Sequence, residues 1–250
     1  MWRRAEQLAG LTASLVLMAG MASAQNRFTV QFENGAAFTS YNDVRIPGDT
    51  GTQVSLTDEL TTDPAYYWRV RVDVRPAAKH VISVLAAPLT LHASGSVDRT
   101  IFFNGDEFPA GTPLEAAYKF NSYRITYRYE FLQREKWLFG IGGTVKVRDA
   151  YTRLEGGGIS STKTNVGLVP LVNFKLQRAL SSKTALILEG DALAAPQGRA
   201  EDILAALQVS PHPKVSFQIG YRILEGGADV DEVYTFTLVN YLAIGAVVRF

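Results

Sequence analysis

The chain of 250 residues has no cysteine and only three histidines. Without cysteine there can be no disulfide, no thiolate metal site and no lipid anchor on an N-terminal Cys. The second scarcity leaves His80, His92 and His212 as the only imidazoles for base or metal chemistry. Neither sign of charge dominates: 25 Lys and Arg stand against 24 Asp and Glu, with no uninterrupted basic run. Nucleic acid is therefore not an expected partner. Beyond residue 24 no stretch approaches the roughly 20 apolar residues that a spanning helix needs.

The features present begin at the N-terminus. Arg3 and Arg4 precede an apolar run from Leu8 to Met21, and Ala22-Ser23-Ala24 follows it before Gln25. A basic start, a short apolar centre and an A-x-A site make residues 1–24 an expected signal peptide, cleaved after Ala24. Losing Arg3, Arg4 and Glu6 leaves equal numbers of positive and negative residues. Residues 25–250 suit one domain of sandwich or barrel type.

Period two runs through that domain. From Trp68 to Arg75, Trp68, Val70, Val72 and Val74 alternate with Arg69, Arg71, Asp73 and Arg75. From Ser122 to Phe131, Tyr123, Ile125, Tyr127, Tyr129 and Phe131 alternate with Ser122, Arg124, Thr126, Arg128 and Glu130. A helix would mix these sets, whereas a strand sorts them onto two faces. Weaker alternation at Phe28–Glu33 and Ser216–Ile223 extends the pattern. Ten strands are predicted, at about 27–40, 65–76, 79–93, 115–132, 137–154, 162–179, 183–195, 201–211, 214–225 and 232–250. The seventh and eighth are rich in Ala and Leu and carry the weakest strand signal. The connections alternate in length: polar turns at 76–79, 133–136, 181–183 and 210–214 lie between long stretches at 41–64 and 94–114 and Gly-rich segments at 156–158, 198 and 226–231.

The last strand ends Leu242, Ile244, Ala246, Val248 and Phe250 at every second position. This resembles the closing strand of bacterial outer-membrane β-barrels, whose terminal aromatic is the tag read by the barrel-assembly machinery. The resemblance implies an all-β fold, an antiparallel up-and-down transmembrane barrel in the outer membrane of a Gram-negative bacterium. It makes Phe250 the assembly signal, and the assembly machinery, membrane lipid and lipopolysaccharide the partners. Bacterial barrels have short periplasmic turns and longer outer loops, so both termini are expected in the periplasm.

Hydrocarbon decides which face is which. A Lys or Arg at the bilayer midplane costs about 2–4 kcal/mol, so charges must face the lumen. That face receives Arg69, Arg71, Asp73, Arg75, Arg124, Arg128, Glu130, Lys146, Arg148, Glu189, Asp191, Asp202 and Arg222. A ring of this size is only slightly wider than one that side chains can fill, so opposite charges are expected to pair into a plug. Tyr67, Trp68, Tyr123, Tyr129, Phe131, Trp137, Phe139 and Tyr241 are expected near the headgroups.

Signals for chemistry are sparse. His92 with Ser94 and Ser96 invites comparison with outer-membrane lipid A deacylases. Asp191, Asp202, Asp229, Asp231 and Glu232 could converge at the rim as acidic residues do in the ten-stranded omptin proteases. Leu224–Glu232 offers oxygen ligands without the spacing of a Ca²⁺ loop. A mixed-charge patch could join the 189–202 hairpin to Lys146, Arg148, Asp149 and Arg153. Gly140, Gly142 and Gly143 are expected to relieve crowding or bend a strand. No cofactor or metal is expected. The expected function is a non-enzymatic barrel with a structural or envelope-interaction role and a charged, plugged lumen. A narrow channel for small solutes and an enzyme acting on lipid A or peptides remain alternatives.

Overall fold

A computed structural model describes residues 27–250, so the expected signal peptide and cleavage site lie outside the described residues. The chain forms β1 (Phe28–Arg45), β2 (Val54–Ser55), β3 (Leu60–Thr62), β4 (Ala65–Ala77), β5 (His80–Ala87), β6 (Thr90–Ser96), β7 (Ile101–Phe103), β8 (Asp106–Phe108), β9 (Pro113–Gln133), β10 (Trp137–Gly156), β11 (Ile159–Ala179), β12 (Thr184–Ala195), β13 (Gly198–His212), β14 (Val215–Val230) and β15 (Val233–Arg249). Ten antiparallel staves close into a barrel, as the alternation predicts. The third stave is broken: β5 and β6 pair in turn along β9 on either side of Pro88-Leu89. The Ala- and Leu-rich segments form β12 and β13, fully paired with each other from Thr184↔Val209 to Ala195↔Gly198.

Closure joins the two ends of the chain. β1 and β15 pair from Thr29↔Arg249 to Arg45↔Tyr234, with one register shift between Thr39 and Tyr41. The Phe250 amide donates to the Phe28 carbonyl at 2.9 Å. A closed ring leaves no raw sheet edge along this seam, which hydrocarbon would not tolerate.

The outward face is apolar. Ile125, Ile141, Val145, Phe217, Ile219, Leu242 and Ile244 are all more than half exposed, while their neighbours in sequence turn inward. Aromatic side chains cluster near the β9–β10 turn, where the Trp137 ring lies 5.6 Å from Phe139 and under the Arg178 guanidinium at 5.1 Å. Two residues expected in such a belt are elsewhere. Tyr67 and Tyr241 are each 2% exposed and face the lumen, in an edge-on pair with centroids 4.6 Å apart. Parity explains the correction: Tyr67 is in step with Arg69, and it is Tyr66, in step with Trp68, that points outward and is 70% exposed.

The connections at the far end, opposite the termini, also differ from expectation. Gly157-Gly158, Pro196-Gln197 and Asp231-Glu232 are tight two-residue turns, because the Gly-rich segments continue the strands rather than form loops. Gly157 and Gly158 have φ of +59° and +84°, the combination a type I′ hairpin requires. Two connections are long. Residues 46–64 carry β2 and β3, residues 97–112 carry the β7–β8 hairpin, and together they supply Ile46, Val54, Leu56, Leu60, Ile101, Phe103 and Phe108 to one apolar core. That core packs on Leu91, Leu114, Leu154, Leu224 and Val239 of the wall, so the barrel mouth is roofed. Arg99 clasps the two loops by donating to Glu59 and to the Gln53 carbonyl.

Candidate functional site

The lumen below this roof is filled by charge. Asp202 on β13 is 2% exposed and accepts from three arginines. These are Arg69 of β4 at 2.8 Å, Arg124 of β9 at 2.5 Å and Arg222 of β14 at 2.5 Å. Arg124 reaches on to Asp191 at 2.7 Å, and Asp191 also accepts from Thr144 and Asn173 at 2.6 and 2.8 Å. Arg222 grips Glu33 with two parallel bonds of 2.8 Å. Such forked guanidinium–carboxylate pairs fix orientation as well as charge.

A second tier lies towards the termini. Arg71 donates to Glu189 at 2.5 Å, Lys175 to the same carboxylate at 2.9 Å, and Arg71 approaches Asp73 at 3.5 Å. Arg75 forks onto Glu130 at 2.7 and 3.1 Å, and Arg128 completes that cluster at 3.5 Å from Glu130 and 3.3 Å from Asn173. Gly140 makes room for it, since a Cβ there would meet Arg128 carbons at 2.9 and 3.0 Å. Amides continue the packing, with Gln31 donating to Gln218 at 2.7 Å and Gln218 to Gln208 at 3.1 Å.

These bonds cross the ring. β4 and β12 stand on opposite sides of it, and Arg71–Glu189 bridges them; Arg69–Asp202 and Arg124–Asp202 span nearly as far. Burial of such ions is costly unless each finds a partner, and here each has an oppositely charged one, with Asp202 holding three. The Tyr67 hydroxyl donates to Glu33 at 3.2 Å, joining the charged floor to the apolar roof.

Of the residues singled out from sequence, Arg69, Arg71, Asp73, Arg75, Arg124, Arg128, Glu130, Glu189, Asp191, Asp202 and Arg222 share this network. Lys146 and Arg148 face inward too, but into a cavity nearer the mouth. Glu33, Asn173 and Lys175 were missed. Each lies on the inward parity of its strand, so stepping by two from Gln31 or Leu171 would have found them.

The candidate catalytic groups do not assemble. His92, Ser94 and Ser96 share the exposed face of β6, and no hydrogen bond links them among the described residues. His80 lies against Tyr127 and Tyr129, and His212 accepts from its own turn at 3.2 Å. The five acidic residues separate: Asp191 and Asp202 are held in the network, while Asp229, Asp231 and Glu232 sit at the β14–β15 tip. The proposed mixed-charge patch divides as well, because Asp149 pairs with Lys119 at 2.8 Å and Arg153 with Glu155 at 3.7 Å. Among the described residues no group of three or more His, Cys, Asp or Glu is placed to hold a metal ion.

No family model and no curated sequence matches the chain. Solved structures do. The outer membrane protease OmpT from Escherichia coli superposes with a TM-score of 0.53 at 8% identity, covering 91% of this chain and 98% of its own. Ail, the attachment invasion locus protein of Yersinia pestis, matches at 0.42 and 13% identity over 90% and 99% of the two chains. Neisserial surface protein A matches at 0.35 and 14% identity over 91% and 100%. The fold is that of the bacterial outer-membrane β-barrels. At such identities the likeness concerns the fold alone.

Proposed function

We propose that this protein is a non-conducting integral barrel of the Gram-negative outer membrane, with both termini in the periplasm and a structural or envelope-interaction role. The observation that carries it is the set of cross-lumen bonds from Arg69, Arg71 and Arg124 to Asp202 and Glu189, which joins opposite walls through side chains that are buried or, for Arg71, half-buried. A channel needs a polar passage that ions can enter and leave; a septum of ion pairs that bridge the lumen obstructs one. The exposed apolar belt suits membrane lipid, the outer leaflet's lipopolysaccharide would meet the roofed mouth, and the exposure of Phe250, just after β15, supports its reading as the assembly signal.

Planar bilayer recording tests the proposal. The reconstituted protein should give no steady openings in potassium chloride, whereas Asp202→Ala combined with Glu189→Ala should give flickering current. Regular openings of the unaltered protein at modest voltage would end it.

A further inference from the structure

Besides the β1–β4 seam, where β1 outruns Ala37↔Ala65 and meets β2, the barrel wall has two places where neighbouring staves stop pairing among the described residues. Beside the broken third stave, β4 pairs β5 only up to Val70↔Ala86, and β6 above it would be left with a bare edge. There β3 folds down from the long loop and pairs from Leu60↔Gly95 to Thr62↔Ala93. At the second place no strand takes that position, and only the β7–β8 hairpin reaches its top, where Asn104 donates to the Thr162 carbonyl at 3.2 Å. β11 pairs β12 only from Val172↔Ala192 to Ala179↔Ala185, although β10 accompanies it on the other side up to Ile159. Among the described residues Ile159–Leu171 has no strand partner on the β12 side.

This unpaired edge lies partly within the apolar belt. Its outward residues Val166, Leu168 and Pro170 are apolar, and Val166 and Leu168 are each 72% exposed. Unpaired backbone at membrane depth is tolerated only where it lines a cavity, and Pro170, with no amide hydrogen to leave unpaired, belongs at such an edge. A cavity is there. It has a volume of about 380 Å³, within the roughly 300–1,000 Å³ of small-molecule sites. Its lining takes both faces of β11, the inward Asn165 and Val169 together with the outward Leu168 and Pro170, and meets Leu193 across the gap. Leu193 is on the inward parity of β12, yet it is 37% exposed. The cavity therefore passes through the wall.

Its inner end is cationic. Lys146 is 2% exposed, and its ammonium has no hydrogen bond or ion pair among the described residues, only the Phe120 ring at 5.2 Å. Arg148 bonds the neutral Asn165 and, among the described residues, leaves Nε without a partner, and Lys163, also in the lining, forms no ion pair among them. Elsewhere in this lumen the buried cations meet carboxylates, so an isolated buried ammonium is the exception, and an expensive one.

We propose that this cavity binds an amphiphile with an anionic head and an apolar chain, the head at Lys146 and Arg148 and the chain leading out between Val169 and Leu193 into the outer leaflet. The charged septum below and the roof above make the site a blind pocket, so the ligand arrives and leaves sideways. A fatty carboxylate and a lipid phosphate share the required chemistry.

The test uses the protein in nanodiscs of zwitterionic phosphatidylcholine, with 11-(dansylamino)undecanoate as fluorescent probe. Dodecanoate and dodecyl phosphate should displace the probe, and the more effective of the two names the head group; dodecanol should be at least tenfold weaker. Lys146→Met should weaken probe binding at least tenfold and Lys146→Arg should restore it, while Leu193→Trp, which fills the lateral mouth without touching a charge, should weaken it comparably. Equal displacement by dodecanol, or wild-type affinity in folded Lys146→Met, would overturn the anionic head. Wild-type affinity in Leu193→Trp would overturn the lateral path. Neither result bears on conductance, so the septum stands or falls separately.

Discussion

The two halves of this lumen exclude water by opposite means. Towards the termini the interior is filled with arginine and carboxylate, and its central bonds join distant staves. Towards the mouth it is filled with Leu, Ile and Phe delivered by two loops. The ionic half is specific, because each guanidinium demands a partner in one place. The apolar half is tolerant, because its cohesion scales with buried area. Damage should spread accordingly: a single change in the ionic half strands several charges, whereas one in the roof stays local.

Asp202→Ala should break this contrast most severely. Removing one partner of a buried ion pair costs about 3–5 kcal/mol, and here three arginines lose the same carboxylate. Urea unfolding, followed by the shift of folded to unfolded mobility in unheated gels, should show the largest fall of any single variant. Phe103→Ala comes next. Its ring is 1% exposed in the roof, and truncating a buried Phe costs about 3–5 kcal/mol, but the cost falls on the loops. Trypsin should then cut at Arg99 much faster, with the urea midpoint of the barrel almost unmoved; a parallel fall in both would mean the halves are one cooperative unit.

Tyr67→Phe sharpens the boundary. It deletes the hydroxyl that donates to Glu33 while leaving the ring against Tyr241, so a loss of about 0.5–1.5 kcal/mol in urea is expected. The smallest effect concerns acid. The hydrogen bond from Arg99 holds the Glu59 carboxyl below its usual range, despite partial burial. A carboxylate with a depressed folded-state pKa stabilises above its unfolded value of about 4.5 and loses that contribution as pH falls through the folded one. The pair is partly exposed, worth about 0.2–1 kcal/mol at most. Tryptic cleavage at Arg99 after an acid pulse at pH 3 should be slightly faster than after one at pH 6, and Glu59→Gln should remove the difference.

The ionic half was legible in the sequence because alternation is a one-dimensional signal. Once Val70 and Val72 face lipid, Arg69 and Arg71 have nowhere else to go. The same rule, applied consistently, would have turned Tyr67 inward and added Glu33. The roof was not legible. Residues 46–64 and 97–112 have no sustained period, and their apolar residues meet only after the barrel brings the two loops together. The gap beside β12 was hidden for a related reason: period two identifies a strand without saying whether its neighbour is as tall. Lys146 was placed in the lumen by parity, but parity does not say whether a carboxylate will pair with it.

The closing ladder has a consequence for how the chain is made. Asn34 donates to the Ile244 carbonyl 210 positions away, and the final amide caps the first stave. The entropy of joining such distant ends grows only logarithmically with length, so the finished ring loses little by it. The cost is in waiting: while the last stave is still being delivered, β1 keeps a naked flank that any passing strand could claim. A chain of this plan needs an escort until its two ends meet.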